Sequence, residues 1–391
     1  MSHQASLEQI LDFLNQPLLN ANEVAKAESI FNNLISHCEP VQNTEPYKKA
    51  TLARSTYEHA QSKDIFLYQF FIFLDNNEHP DEPPDLTRGI SRFSRFGPTA
   101  PASQKNEVEK AISLFGEYLF ANFFSPLKAS GRRTPQPTPA TLSAPVGNLT
   151  GTPARLSSLR RDCLIRDHHR CVVSRAFDRP EASKRTGRDG PNAKDDDGQQ
   201  LVSVSGRFAS LEVAHIIPHS LMSTASSGDT SELSESKRSA LAILRMFDPS
   251  AVHLIEGSEI DRPTNAITLT HDIHELFGDF KFYFEEMDPT VNPNYTYRID
   301  SREVYSFNRP EGLPMTRTLL LSPNHTIDPP SSRLLGIHRA ISIILHLSGA
   351  GEYIDRIIRD MEDVHVRSDG STELSHIVTL KLGGWFDGVT A

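Results

Sequence analysis

Apolar residues recur at intervals of three and four along much of the first 125 residues, which is the spacing of amphipathic helices. The segments 7–14, 24–35 and 108–120 carry this pattern most clearly. None of them contains residues at the spacing of a catalytic or metal-binding motif. The pattern therefore predicts a helical N-terminal region over residues 1–125, which packs on itself and could recruit a protein partner.

Residues 126–154 interrupt this pattern. Proline, threonine, serine and glycine are frequent here, and Thr134–Pro139 alternates proline with polar residues. Such a composition offers too little apolar surface to offset the entropy lost on ordering the chain. We therefore predict an interdomain linker.

Helical spacing returns after the linker. Residues 155–170 are predicted to form a helix with its arginines turned outward, and residues 171–174 a short strand. The helix positions predicted to face inward are Leu156, Leu159, Cys163 and Ile165. This helix is expected to begin a mixed domain that spans residues 155–300.

Two segments of this domain are predicted to be insertions, at about residues 179–209 and 219–262. The first is polar, with Lys194–Gly198 at its centre, and is expected to be a mobile loop. The second is longer than a simple turn between two strands needs, and residues 234–247 have the spacing of a helix.

The remaining pattern is mixed. Residues 280–284 and 295–299 are rich in aromatic and β-branched residues and predict a pair of strands. One or two helices are expected within 332–361, and a terminal strand at 376–382. The fold class predicted is α+β, with residues 301–391 forming a C-terminal α/β extension of helices and a final strand.

Composition places the chain among ordinary soluble proteins. Apolar residues make up 38% and charged residues 23% of its 391 residues. There is no run of about 18 apolar residues and no basic start followed by a hydrophobic stretch, so neither a membrane span nor a secretory signal is expected. The cysteines Cys38, Cys163 and Cys171 form no Cys-x-x-Cys pair. We therefore expect an intracellular protein, nuclear or cytoplasmic.

Charge is unevenly distributed along the chain. The formal net charge is -10, yet residues 155–188 contain nine arginines and one lysine against four acidic residues. Nucleic-acid binding depends on such cations because they neutralise phosphates. A solvated helix face with a charged loop is the other reading of this block. The candidates for phosphate contact are Arg160, Arg161, Arg166, Arg170 and Arg175.

Three residues have the order and types that phosphodiester hydrolysis needs. His215 ends the apolar stretch 211–214 just before Ile216-Ile217-Pro218, and Asn265 precedes His274 by nine residues within a second apolar stretch. A neutral histidine at a strand end can activate water. Asn265 can orient the loop that carries this histidine, and His274 on a short helix can hold a divalent metal.

At these residues the chain resembles the HNH endonuclease family, in the branch with an Ala-His-Ile-Ile-Pro motif and a later His-x-Leu-Phe motif. Residues 171–174 also resemble the Cys-x-x-Thr/Ser stretch that opens the domain in this branch, and the layout is similar to that of fungal HNH-domain proteins. The resemblance covers about residues 160–300. It implies a ββα-metal fold, DNA as substrate, His215 as general base, Asn265 as structural support and His274 as metal ligand.

The sequence departs from the wider family at two positions that often supply further metal ligands. Ala214 stands directly before His215, although alanine is usual in this branch, and Gly278 stands four residues after His274. Asp279, His271 and Glu212 are the candidates for completing the metal site. The metal is expected to be divalent, with Mg or Mn suited to a water-rich site and Zn or Ni to imidazole.

Two functions remain open from the sequence. One is a metal-dependent endonuclease. The other is a catalytically degenerate HNH fold that binds nucleic acid or protein.

Overall fold

The computed structural model describes residues 19–131, 151–202, 207–222, 233–362, 374–383 and 385. These form an α+β fold of helices with small sheets. The chain divides into two compact units, each assembled from separated segments. The described residues of the first unit come from 1–126, 224–252 and 343–385, and those of the second from 127–223 and 253–342. Both the segment 219–262 and the extension 301–391 are therefore shared between the two units.

Helices with an aromatic core form the first unit. Asn20 and Glu23 cap the first helix reciprocally, and the rings of Phe70 and Phe115 meet edge to face at 4.9 Å. The helices predicted at residues 24–35, 108–120 and 234–247 are confirmed, whereas the segment 7–14 lies outside the described residues. The helices of this unit are α1 (Ala21–Cys38), α2 (Lys49–His59), α3 (Lys63–Glu78), α4 (Leu86–Phe93), α5 (Ala102–Leu119), Glu235–Phe247, Ala350–Glu362 and Leu374–Leu382.

The linker prediction is wrong at its first residues. Residues 126–131 belong to a buried helix, α6 (Ser125–Gly131). A Cβ atom on Gly131 would lie 2.2 Å from the carbonyl oxygen of Gly278, so only glycine permits this close approach. The prediction from composition was wrong because small residues such as Gly131 also allow two backbones to pack closely. Residues 132–150 lie outside the described residues.

The terminal strand prediction is also wrong. Residues 374–382 form a helix, in which Ile377 and Leu380 are buried while Val378 is 49% exposed. Burial therefore follows a spacing of three rather than the alternation of a strand. The β-branched residues of this segment favoured a strand locally, but packing in the first unit selected the helix.

A hairpin followed by a helix forms the centre of the second unit. Strand β3 (Leu211–His215) pairs antiparallel with β4 (Ala266–Thr270), so that His215 lies opposite Ala266. The helix His271–Gly278 follows β4 directly. A separate antiparallel sheet contains β5 (Tyr283–Glu286), β6 (Thr296–Asp300) and β7 (Met315–Thr318). The predicted strand pair is thus confirmed, with its first strand beginning at Tyr283.

The helix α7 (Gly151–Arg166) packs against the hairpin. Leu156, Leu159 and Cys163 are buried as predicted, but Ile165 is 39% exposed and Arg166 is fully buried in its place. The inward prediction for Ile165 is wrong because Arg166 continues the spacing of Leu159 and Cys163 along one stripe, whereas Ile165 falls beside it.

Residues 171–174 form a turn and not the predicted strand. The amide of Cys171 donates to the carbonyl of Ala176, and that of Arg175 donates back to Cys171. The only ladder contact described here is an isolated bridge between Arg170 and Phe177. Four residues closed by these hydrogen bonds are too few to extend into a strand.

The polar segment 179–209 is ordered in its described residues, contrary to the mobile loop expected. It contains the helix α8 (Arg179–Asp189) and the strand β2 (Phe208–Ala209), which pairs in parallel with β1 (Phe177–Asp178) just before the segment. Arg170 and the buried Asp195 form an ion pair at 2.5 Å, and Asp195 also accepts from two backbone amides. Ion pairs and side-chain hydrogen bonds to backbone amides stabilise this segment. The apolar content of the sequence does not reveal such polar contacts.

Within the described ranges, no single helix is long and apolar enough to cross a bilayer, and only the bent pair Ser332–Ser348 and Ala350–Met361 would pass by length and composition if taken together.

His338 makes the second unit sensitive to acid. Its ring stacks on Phe277 at 3.9 Å, its Nε2 donates to the Phe277 carbonyl at 3.0 Å, and its Nδ1 is buried without a partner. Burial lowers the pKa of His338 to about 3. The unfolded chain takes up this proton near pH 6.5, so folding stability should fall as pH decreases from 6.5 towards 3, by up to about 1.4 kcal/mol per pH unit.

Urea unfolding of wild type and His338→Gln between pH 7 and 4 checks this. We expect a shallower pH dependence in the variant, whereas His253→Gln, at an exposed histidine, should keep the wild-type slope. Equal slopes in all three proteins would contradict the assignment.

Candidate active site

His215 is positioned by the end of the β3–β4 hairpin. It is the last residue of β3, and the amide of the next residue, Ile216, donates to the Asn265 carbonyl at 2.8 Å. Pro218 follows and ends the extended chain. The side chain of His215 is 1% exposed. The hairpin therefore fixes this imidazole within the second unit.

The ring of His215 has one bonded and one unbonded nitrogen. Nε2 lies 3.2 Å from Oδ1 of Asp261, and because a carboxylate only accepts, Nε2 must carry the proton. Nδ1 has no hydrogen-bond partner. Burial lowers the pKa of His215 and the hydrogen bond to Asp261 opposes this shift. The ring is thus held neutral, with its lone pair on Nδ1.

Asp261 gathers three donors. Its Oδ1 also accepts from Nδ1 of His219 at 2.7 Å, and its Oδ2 accepts from Nε of Arg155 at 2.9 Å. Burial alone would raise the pKa of Asp261, but the hydrogen bonds from the two histidines hold it well below its usual range. The carboxylate is therefore ionised and anchors the orientation of His215.

The sequence prediction missed Asp261, His219 and Arg155. The available signals were the position of His219 four residues after His215 and that of Asp261 four residues before Asn265. Neither spacing alone identifies a contact, because 46 residues separate His215 from Asp261.

Asn265 braces the loop that follows His215. The side chain is fully buried, and its Oδ1 accepts from the Ile217 amide at 2.9 Å. Its Nδ2 donates to the carbonyls of Ile217 at 3.0 Å and Ile260 at 2.9 Å. One amide therefore ties the loop after β3 to the segment that carries Asp261.

The helix α9 (His271–Gly278) brings its histidines to Glu212 on β3. Oε2 of Glu212 lies 2.7 Å from Nδ1 of the buried His274, and Oε1 lies 3.0 Å from Nδ1 of His271, which is 70% exposed. The hydrogen bond from His274 is the main reason that the pKa of Glu212 is lowered, and Glu212 raises the pKa of His271. Of the three candidates for completing the metal site, Glu212 is the one that bonds to His274.

The two departures from the wider family are both buried positions. Ala214 is fully buried on β3, and the carbonyl of Gly278 lies against Gly131. Asp279, the residue after Gly278, is buried and its main-chain carbonyl accepts from Nζ of Lys128 at 2.8 Å. This end of the helix α9 is therefore packed against α6.

Among the residues that the structure describes, two groups discussed above have donors suited to a metal. One is His274 with Glu212 on its Nδ1. The other is His215, His219 and Asp261, whose ligand atoms lie within 4.8 Å of one another.

The arginines selected for phosphate contact mostly bond to the protein. The prediction for Arg166 is wrong, because its side chain is completely buried in an ion pair with Asp167. Arg161 is the most exposed, at 52%. Arg160 donates to the Leu211 carbonyl, Arg170 to Asp195 and Arg175 to the Thr318 carbonyl.

The antiparallel hairpin and the helix that follows it form a ββα arrangement with a histidine at a strand end, a bracing asparagine and a histidine on the helix. Residues 171–285 match the family described as HNH endonuclease. The matched segment contains the hairpin and the helix that carry His215, Asn265 and His274. No curated protein and no solved structure is detectably similar to the chain.

Proposed function

We propose that the protein is a metal-dependent endonuclease that hydrolyses DNA phosphodiester bonds, with His215 as general base and His274 as metal ligand. One observation carries the proposal: the unbonded Nδ1 of His215, opposite an Nε2 that Asp261 holds protonated. An imidazole fixed in this tautomer is prepared to accept a proton. His338 also has a buried Nδ1 without a partner, but its Nε2 donates to a main-chain carbonyl, whereas Nε2 of His215 donates to a carboxylate that can stabilise an imidazolium.

The reaction follows from this tautomer. Water oxygen attacks the phosphorus while its proton passes to Nδ1 of His215, and the bond from phosphorus to the departing sugar oxygen breaks. Asp261 stabilises the imidazolium that forms, because its carboxylate already accepts the Nε2 proton. Asn265 keeps the loop and the ring in place through its three hydrogen bonds.

The donors around His274 fit a divalent metal. Glu212 occupies Nδ1 of His274, which is the carboxylate–histidine pairing that orients metal-binding imidazoles. His274 would hold the metal, with water and substrate phosphate completing its shell, as Mg and Mn prefer. A bound metal neutralises charge on the phosphoryl oxygens and on the leaving oxygen. Arg161 is the predicted arginine best exposed to contact the phosphate backbone.

A degenerate HNH fold that binds nucleic acid or protein is the second candidate. The observation that favours it is the 1% exposure of the His215 side chain. The residues packed around this ring would have to move before substrate and water could reach it. A protein partner for the N-terminal helices stays a prediction.

Nicking of supercoiled plasmid by the full chain tests the two candidates. The protein is incubated with Mg, Mn, Zn or Ni, beside an EDTA control. Metal-dependent conversion to open circles is the expected result. Absence of nicking with every metal, together with retained DNA binding, would instead establish the binding module.

Glu212→Gln gives a quantitative test of the metal assignment. The variant keeps the shape of the side chain but removes the charge that orients His274. The metal concentration for half-maximal nicking is expected to rise about 10- to 100-fold. Glu256→Gln, at an exposed glutamate, is the matched control and should require the wild-type concentration. An unchanged requirement in Glu212→Gln would remove Glu212 from the site.

A further inference from the structure

We propose that His215, His219 and Asp261 form a second site, specific for an imidazole-preferring divalent metal such as Zn²⁺ and separate from His274. The three side chains belong to two segments of the second unit, one with His215 and His219 and the other with Asp261, and all are buried. Nε2 of His215, Nδ1 of His219 and a carboxylate oxygen of Asp261 converge within 4.8 Å. Convergence of three such donors inside a protein is the arrangement that tetrahedral zinc sites use.

The distances suit a small cation. Oδ1 of Asp261 lies 2.7 Å from His219 and 3.2 Å from His215. Ligands that bind zinc at about 2.0–2.1 Å in a tetrahedron are roughly 3.3 Å apart. The contact from His215 already has this length, and the contact from His219 would lengthen by about 0.6 Å if a cation replaced the two bridging protons. Three protein ligands leave the fourth position to water.

The chemistry of the donors selects the metal. Two imidazoles and one carboxylate suit Zn²⁺ better than Mg²⁺, which prefers oxygen. His215 and His219 are also separated by three residues, a spacing common among zinc-binding histidines. Arg155 holds Oδ2 of Asp261, so the carboxylate would present Oδ1 alone to the metal.

An open cavity reaches one member of this cluster, Asp261. Asp261 and Arg155 line a cavity of about 500 Å³ together with Ser158, Glu259 and Arg262. The cavity therefore meets Asp261 on the side where Arg155 bonds.

Metal at this site would switch off the proposed base. A cation on Nε2 of His215 displaces the only ring proton from that nitrogen, and the neutral ring then carries one proton on Nδ1 instead. Nδ1 then cannot accept a proton from water. This consequence rests on the proposed function, but the binding site itself does not. Zn²⁺ is therefore expected to inhibit nicking supported by Mg²⁺.

Metal binding by the full-length protein tests the site directly. Co²⁺ serves as the spectroscopic probe, because its visible absorption reports tetrahedral coordination, and Zn²⁺ binding is measured by titration calorimetry. We expect a tetrahedral Co²⁺ spectrum from wild type and from His274→Ala. In His219→Ala and the more conservative His219→Gln the spectrum should be lost, with Zn²⁺ affinity at least about 100-fold weaker. His253→Ala, at an exposed histidine, is the control.

Three results would overturn the site: no tetrahedral Co²⁺ spectrum from wild type, wild-type binding by both His219 variants, or loss of binding in His274→Ala alone. Circular dichroism before metal addition shows whether each variant is folded, and the wild-type spectrum tests the site even if a variant is not. Tetrahedral binding without nicking would uphold this site and remove the proposed function, whereas nicking without such binding would do the reverse.

Discussion

His215→Ala is expected to lower the rate constant for plasmid nicking about 10²- to 10⁴-fold at saturating Mg²⁺ or Mn²⁺, which is the usual contribution of a general base. The variant removes the only group proposed to accept the proton from water. Because His274 and Glu212 are unchanged, the metal requirement of the residual activity should stay close to that of wild type. The measurement is the initial rate of conversion of supercoiled to open-circular plasmid over a range of metal concentrations.

His253→Ala is the matched control, since it removes an exposed histidine of the same unit. It should retain the wild-type rate. Melting curves must show that His215→Ala is folded, because the lost imidazole leaves Asp261 with one fewer donor. Nicking by folded His215→Ala at the wild-type rate would show that another group activates the water.

Arg166→Ala is expected to reduce the free energy of unfolding by about 3–5 kcal/mol. Nε and Nη2 of Arg166 donate to the two carboxylate oxygens of Asp167 at 2.8 and 2.9 Å, and both side chains are completely buried. The guanidinium also donates to the carbonyls of Pro263 and Ala266, on either side of Asn265. Removal of the cation leaves a buried carboxylate without its charge partner and frees two carbonyls beside the hairpin.

Chemical unfolding followed by circular dichroism measures this loss. Arg161→Ala is the matched control on the same helix, because that exposed side chain pairs only with neighbouring Asp162 at the surface. Its effect should stay within about 0.5 kcal/mol. A similarly small effect of Arg166→Ala would show that the buried pair does not stabilise the hairpin.

Local patterns in the sequence predicted the elements that carry the site. The apolar run that ends at His215, and the nine residues from Asn265 to His274, indicated a strand, a second strand and a helix. These features depend on neighbours close in the chain, whose spacing records which face each element buries. The match of residues 171–285 to the HNH endonuclease family agrees with that reading.

Several failures arose where tertiary packing competes with local preference. The segment 376–382 has the β-branched residues of a strand but forms a helix, because Ile377 and Leu380 are buried on one face. Arg166 was assigned to the surface by its charge, yet Asp167 and two backbone carbonyls satisfy it in the interior.

The sequence by itself determined the hairpin and helix, together with the three residues His215, Asn265 and His274, since these follow from short-range spacing. Only the tertiary structure decided that His215 and His219 share one carboxylate oxygen of Asp261. It also decided that Glu212 bonds His274, which is 62 residues away in the chain. The physical reason is that a polar group is stabilised in the interior by whichever donor or acceptor the fold brings within about 3 Å, and chain spacing does not encode that distance.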